Sequence, residues 1–412
     1  MSKLTLPILW SRWLNLIVVS ELMLPTLLDA FEAYWNFPSE ICQVNHSIKI
    51  EEYGIKTNKN VSFYGEKIVI FYELIFGLYP YYKGYDETQP INGGLPQDWS
   101  LKDHLNITEK NITERIADQD YDGLVIIDLE EWRPIFDQNF WGKKSVFRNQ
   151  SIALFKANHP EHQDEKNETV LEKLAGEEFN AAARKFFVET ISLAKKLRPK
   201  AKWGFYGFPY CNYNAGKNNT YRCWKKYQDW NDNMTFIFNE STALFPSIYL
   251  GSNATSEERR RYVQAVLQEA RRISRKFTPP LPIYAYTEIE YDPLKELRSF
   301  YNDPDLCSTI KQPADLGIDG IIIWSSSRNI TLRCPHIKEQ IEERIGSKMK
   351  HTIDQHKNCR KTRCHDHGKC VLPMNTTCTD FDINMEQYKC ECDKGYVGEF
   401  CSPEGTTPQQ TR

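Results

Sequence analysis

The chain has 412 residues and a formal net charge of -3, with 41% hydrophobic and 13% aromatic residues. This length exceeds one small domain, and the apolar content excludes a disordered chain. The nearly balanced charge leaves no overall footprint for nucleic acid, while the aromatic supply suits a core or surfaces that stack on sugars.

Lys3 and Arg12 precede an apolar stretch, 14–28, and Ala30 is a small residue placed for cleavage, so residues 1–30 read as a secretory signal. The alternative is an uncleaved anchor. Glu21 breaks the stretch, which stays below the roughly 18 residues that a span requires. No later stretch is apolar enough to cross a bilayer, so no stable membrane anchor is expected. N-x-S/T sequons at Asn45, Asn60, Asn106, Asn111, Asn149, Asn167, Asn218, Asn233, Asn239, Asn253, Asn329 and Asn375 suggest a heavily glycosylated surface. There are 12 cysteines, seven of them between Cys359 and Cys401, a distribution that suits an oxidising compartment. All three features place the protein outside the cell.

From 31 to 350, short apolar or aromatic runs alternate with helical patterns. The predicted strands are 34–37, 68–72, 124–128, 203–206, 247–250, 283–286 and 321–324. Several are apolar throughout, as parallel strands covered on both faces should be. Predicted helices cover 172–197, with Ala175, Phe179, Ala182, Phe186, Phe187 and Ile191 at helical spacing, then 256–277, opening at Ser256, and 337–345. Such alternation over about 300 residues favours a (β/α) barrel, irregular because the predicted strands number seven. A doubly wound sheet competes, but no Gly-rich phosphate turn follows the first strand.

The stretch DGLVIIDLEEWRP, 122–134, ends a buried-type strand in three carboxylates, Asp128, Glu130 and Glu131. In a barrel this is the strand end where chemistry is placed. Side chains two apart share a face, so Asp128 and Glu130 point one way, Leu129 and Glu131 the other. Two like charges held together raise one pKa and keep a proton available for acid catalysis. The bland reading is an acidic, solvated loop that opens the next helix.

The C-terminal segment changes character. Residues 355–403 read C-x4-C-x5-C-x19-C-x-C-x8-C through Cys359, Cys364, Cys370, Cys390, Cys392 and Cys401, with Cys378 as an extra cysteine. This resembles an epidermal-growth-factor-like module, which implies the pairs Cys359–Cys370, Cys364–Cys390 and Cys392–Cys401. His365 and His367 raise a zinc reading, but no two cysteines have zinc-finger spacing, so no metal is expected. Residues 404–412 read as a polar, disordered tail.

The acidic strand is similar to the catalytic strand of the hyaluronidases, glycoside hydrolase family 56. Other segments resemble that family in order: AYWNFPSEIC at 33–42, IFY at 70–72, GLYPYY at 77–82, GGLPQ at 93–97, WGFYGFP at 203–209, FPSIY at 245–249 and GIIIW at 320–324. The resemblance covers 33–346 and continues through the terminal module. It implies a secreted enzyme that cleaves hyaluronan, with Glu130 as general acid and base and the substrate's own N-acetyl oxygen as nucleophile. No cofactor is needed. Asp128 would share a hydrogen bond with Glu130 and hold its pKa up. Tyr206 and Tyr249 would orient the acetamido group, Trp324 would enclose its methyl, and Tyr72 would line the cleft. Arg133 would meet a substrate carboxylate or pair with Glu130 or Glu131. The resemblance also implies Cys42–Cys334 and Cys211–Cys223, leaving Cys307 and Cys378 open to pair with each other.

Three positions depart from common members of the family. Leu129 stands where many have an aromatic residue. Tyr210, which borders the cleft, and Ser327 stand where vertebrate members carry Asp and Trp, and both match an insect-like, venom-like pattern. A chondroitin-preferring hydrolase and a non-catalytic glycosaminoglycan-binding protein are the rival readings.

Overall fold

The computed structural model describes residues 30–404, apart from 252, 374–377, 379 and 383. The predicted signal up to 29, the tail from 405 onward and Asn375 lie outside the described residues.

Seven parallel strands carry the fold: β1 Glu32–Asn36, β2 Ile55–Thr57, β3 Ile68–Tyr72, β4 Leu124–Asp128, β5 Lys202–Phe205, β6 Tyr284–Thr287 and β7 Gly320–Trp324. One sheet has the order β2-β1-β7-β6 and the other β3-β4-β5. Single bridges join the sheets through residues 244–247: Tyr206 with Phe245, Leu244 with Ile283 and Ser247 with Tyr286. On the opposite side the buried Asn58 joins the end of β2 to the start of β3. Its amide donates to the Ile68 carbonyl at 3.1 Å and its oxygen accepts the Lys67 and Ile68 N–H groups at 2.9 and 3.0 Å. The strands therefore make a circuit, not an open doubly wound sheet.

Strand alternation divides the core. Tyr34, Ile68, Ile70, Leu124, Ile126, Tyr284, Tyr286 and Ile322 pack inside the circuit. Ala33, Trp35, Val69, Phe71, Val125, Ile127, Ile321 and Ile323 pack outward beneath the helices. The period of two continues beyond the last rung. It sends Tyr72, Asp128, Tyr206 and Trp324 inward at the C-terminal ends of β3, β4, β5 and β7. Gly204 on β5 is required by this packing, since a Cβ there would lie 2.3 Å from the Ala243 carbonyl oxygen.

The principal helices are α1 Leu101–Arg115, α2 Ser145–Asn158, α3 Glu168–Leu197, α4 Ser256–Ser274, α5 Ile330–Gln340 and α6 Gly346–Arg363. Helix α3 starts four residues before its predicted start because the Asn167 side chain caps the Thr169 N–H at 3.1 Å. Within it Ala183, not Ala182, is fully buried. Helix α4 is capped by Thr255, reciprocally with Glu258, so the capping residue is one earlier than Ser256, and the helix ends at Ser274. The predicted helix 337–345 is part of a longer run in which a π turn, Ile341–Ile345, joins α5 to α6.

Two strand expectations are corrected. Residues 247–250 form no strand, since Pro246 interrupts the hydrogen-bonding run and only Ser247 keeps a bridge. Strand β2 was not expected, being three residues long and too short to show a period.

All twelve cysteines are paired: Cys42–Cys334, Cys211–Cys223, Cys307–Cys378, Cys359–Cys370, Cys364–Cys390 and Cys392–Cys401. Cys364 and Cys370 therefore offer no thiolate to a metal, and His367 stacks on Tyr396 with 3.7 Å between centroids. Helix α6 runs through residues 350–355 and carries Cys359 into the terminal segment. That segment pairs β8 Gly368–Val371 with β9 Lys389–Cys392. A buried polar cluster seats it on the main body. Asp315 accepts Lys311 Nζ at 2.7 Å and the Tyr388 hydroxyl at 2.6 Å, and His356 Nε2 lies 3.0 Å away. Glu391 pairs with Arg271 and Arg275 beside it.

Candidate active site

The C-terminal strand ends gather the predicted residues. Asp128 ends β4 with Oδ1 buried and unpartnered. Burial, reinforced by the charges of Glu130 and Glu73, pushes its carboxyl well above the ordinary range. Glu130 stands two residues on, exposed, and its carboxylate makes no hydrogen bond or ion pair among the described residues. The expected Asp128–Glu130 hydrogen bond is not formed. The two acids interact through charge, and Asp128 is the more deeply enclosed of the two. Leu129 packs into the outer core, away from both acids.

The peptide that carries Glu130 is held from both sides. Glu73, directly after β3, accepts the Glu130 N–H and, at 3.1 Å, the Glu131 N–H. Lys144 donates to the Glu130 carbonyl and, at 2.7 Å, to the Glu131 carbonyl. Burial, opposed by the Glu130 N–H and aided by the charges of Glu131 and Glu130, brings the Glu73 carboxyl to about 7. Burial, with Arg133 nearby, lowers Lys144 to about 8.

An aromatic wall faces the acids. Tyr206 and Tyr249 have centroids 6.1 Å apart, Tyr249 stacks on Trp324 at 6.0 Å, and Trp324 Nε1 donates to the Tyr72 hydroxyl at 2.9 Å. The Tyr206 hydroxyl donates to Ser247 Oγ at 3.2 Å. Burial holds both the Tyr206 and Tyr249 hydroxyls well above their ordinary pKa, so they stay neutral donors. Arg133 makes no ion pair with Glu130 or Glu131. Its Nη1 donates to the Tyr210 hydroxyl at 2.6 Å and its guanidinium lies 4.3 Å over the Tyr210 ring. Ser327 is exposed in the loop after Trp324.

A buried carboxyl whose pKa is raised, beside an exposed and unpaired one, is an arrangement suited to proton transfer. The sequence model of the hyaluronidase family matches residues 24–399. The chain belongs to the hyaluronidase family. A chondroitin hydrolase of Caenorhabditis elegans is 36% identical over 91% of this chain and 80% of its own. A hyaluronidase of Loxosceles intermedia is 31% identical over 92% and 98%. The crystal structure of bee venom hyaluronidase is 32% identical, with a TM-score of 0.69, over 78% of this chain and 99% of that one. A second structure of that hyaluronidase, in complex with a hyaluronic acid tetramer, matches with the same score. The chain is therefore a glycoside hydrolase of hyaluronidase type, with an α/β fold like that of the bee venom enzyme.

Three acidic or basic residues at the candidate site, Glu73, Lys144 and Glu288, carry no motif in the sequence. Glu73 and Lys144 lie 57 and 14 residues from Glu130. Glu288, just past β6, carries a carboxyl raised by burial and by Glu290 to about 8. Glu73 and Glu288 each follow a strand directly, and an acid ending an apolar run was the one available signal.

These acids set a pH response. Glu73 and Glu288 have folded pKa values above the ordinary 4.5. Their stabilisation is full below that value and is lost as pH rises through about 7 and about 8. Asp128 has the same sign. His104, lowered by burial to about 3, has the opposite sign, and its contribution is lost as pH falls below 6.5. Lys144 adds stability only above about 8. Between pH 6.5 and 8 the buried acids dominate and cost on the order of 3 kcal/mol. The thermal midpoint should fall by several degrees across that interval, and Glu288→Gln should flatten the slope. An unchanged midpoint in buffer-matched calorimetry refutes this linkage.

Proposed function

We propose that this protein is a secreted endo-β-N-acetylhexosaminidase that hydrolyses hyaluronan by a retaining, substrate-assisted reaction. The observation that carries the reading is the exposed, unpaired Glu130 carboxyl beside the buried Asp128 carboxyl. Glu130 protonates the glycosidic oxygen as the substrate's acetamido oxygen attacks the anomeric carbon and the glycosidic C–O bond breaks. Water then opens the cyclic intermediate at the same carbon, and Glu130 takes its proton. The substrate supplies the nucleophile, so the spacing rule for two catalytic carboxylates does not govern the outcome. Tyr206 and Tyr249, as neutral donors, orient the acetamido group and stabilise the charge that develops on it. Trp324 and Tyr72 form the wall against the sugar face, and Arg133 with Tyr210 offers a cation to a uronate. Asp128 places a second carboxyl two residues from Glu130, and its raised pKa disfavours ionising both acids together.

The strand circuit is read as an irregular (β/α) barrel over 31–350, and the disulfide-rich segment at 355–403 as an epidermal-growth-factor-like module. Six disulfides and the sequon density support export after removal of residues 1–30. Of the eleven sequons among the described residues, Asn111 is the half-buried one that carries a structural bond, accepting the Gly77 N–H at 2.8 Å. The glycan load is therefore assigned to exposed sequons such as Asn45, Asn149 and Asn253. An invertebrate, venom-like member is the reading that Tyr210 and Ser327 support.

A chondroitin-preferring hydrolase is the second reading, favoured by the 36% identity to a chondroitin hydrolase. Release of new reducing ends from hyaluronan and from unsulfated chondroitin, measured side by side, decides between them. Nuclear magnetic resonance of the first-formed anomer tests retention. An α-anomer at early times refutes the substrate-assisted route.

A further inference from the structure

Lys144 is a buried ammonium whose three donor hydrogens all have acceptors. It donates to the Glu130 carbonyl, to the Glu131 carbonyl at 2.7 Å and to the Tyr85 hydroxyl at 3.4 Å. Two rings enclose it, with the Tyr85 centroid at 5.4 Å and the Trp141 centroid at 5.9 Å. Tyr85 takes left-handed backbone, φ 63°, which a bulky residue adopts where the surrounding contacts fix it. Glu73 accepts the N–H groups of the same two residues. The turn that presents Glu130 is therefore tied through its amides to one anion and through its carbonyls to one cation. The charged groups that face Lys144 are Arg133, Glu131, Glu130 and Glu73. Of these, Arg133 donates to the Tyr210 hydroxyl instead.

Resting on the reading of Glu130 as the acid, we infer that Lys144 is a positioning residue whose ammonium form holds the Glu130–Glu131 peptide where the Glu130 carboxyl can serve the reaction. It touches no reacting atom. Three acceptors need three hydrogens, and a neutral amine has two. Charge also makes each hydrogen bond stronger than a neutral donor would. When the proton leaves to solvent, the peptide loses part of its hold, and Glu73, Glu130 and Glu131 lose the cation set among them. Burial, with Arg133 nearby, brings that loss to about 8. The lysine thereby sets an upper pH limit on turnover that is separate from the proton state of the acid.

The test compares kcat of wild type and Lys144→Met, an unbranched side chain of similar reach with no charge. The substrate is hyaluronan or unsulfated chondroitin, whichever the wild type cleaves faster. Below about pH 7 the variant should lose about 10²-fold in kcat with KM within about twofold, since a misplaced acid acts on the chemical step. By about pH 9 the ratio between the two proteins should shrink about tenfold, because a neutral lysine holds the turn no better than methionine does. Titration of Asp128, Glu73 and Glu130 is common to both proteins and cancels in the ratio. Lys144→Arg keeps its cation through this range, so its kcat relative to wild type should rise about tenfold over the same interval. Circular dichroism controls for folding, and if Lys144→Met does not fold, the arginine ratio decides. Ratios that stay constant with pH, or a loss confined to KM, overturn the role of Lys144. In that case inactivity of Glu130→Gln in the same assay leaves the acid reading standing. If Glu130→Gln cleaves as fast as wild type, both readings fail together.

Discussion

Glu130→Gln should lower turnover of the preferred polymer by about 10³-fold and leave thermal stability nearly unchanged. The substitution keeps shape and removes only the ability to give and take a proton. Because the Glu130 carboxylate has no hydrogen bond or ion pair among the described residues, its loss leaves no buried partner unsatisfied. Its backbone bonds to Glu73 and Lys144 persist, so the turn should keep its place. Binding of a long oligosaccharide should survive in the variant. The decisive measurement is initial release of reducing ends at several pH values, with circular dichroism as the control for folding. Retention of more than a tenth of wild-type turnover at the optimum would sink Glu130 as the acid. Glu73→Ala is the informative companion, because it removes the acceptor of the Glu130 and Glu131 amides without touching the reacting group. It should lower kcat more than KM, whereas a merely structural loss would act through the amount of folded protein.

Arg333→Met should be the most destabilising substitution outside the site, costing about 3–5 kcal/mol. Arg333 is fully buried, and its guanidinium pairs with Glu290, which is 1% exposed. It also donates to Ser325 Oγ and to the carbonyls of Ser326 and Arg328, at 2.7 and 3.1 Å for the last two. Removing it leaves Glu290 charged and buried, and frees the loop that begins directly after Trp324. The thermal midpoint should drop by about 5 °C, and kcat/KM should fall beyond what the folded fraction explains. Adding Glu290→Met should restore part of the stability, because an apolar pair of similar volume carries no desolvation penalty. A double variant no more stable than the single one would show that the hydrogen bonds to the loop, not the uncompensated charge, are what the arginine contributes.

The sequence by itself determined the strands that are continuous apolar runs and the acids that end them. The boundaries of β3 and β4 follow from runs of Ile, Val and Leu that only a strand covered on both faces can bury. The inward direction of Asp128 followed from the period of two, and the family motifs carried the tyrosines and Trp324. Tertiary structure alone decided what depends on which distant groups meet. Asn58 closing the circuit, Glu73 and Lys144 holding the Glu130 peptide, and Tyr210 rather than a carboxylate receiving Arg133 are contacts across 10 to 77 residues, beyond any local period. The same holds for the raised pKa of Asp128, since desolvation is a property of the surroundings and not of the residue. Local periodicity reports which face a side chain takes; it has no range over which to report the partner it finds there.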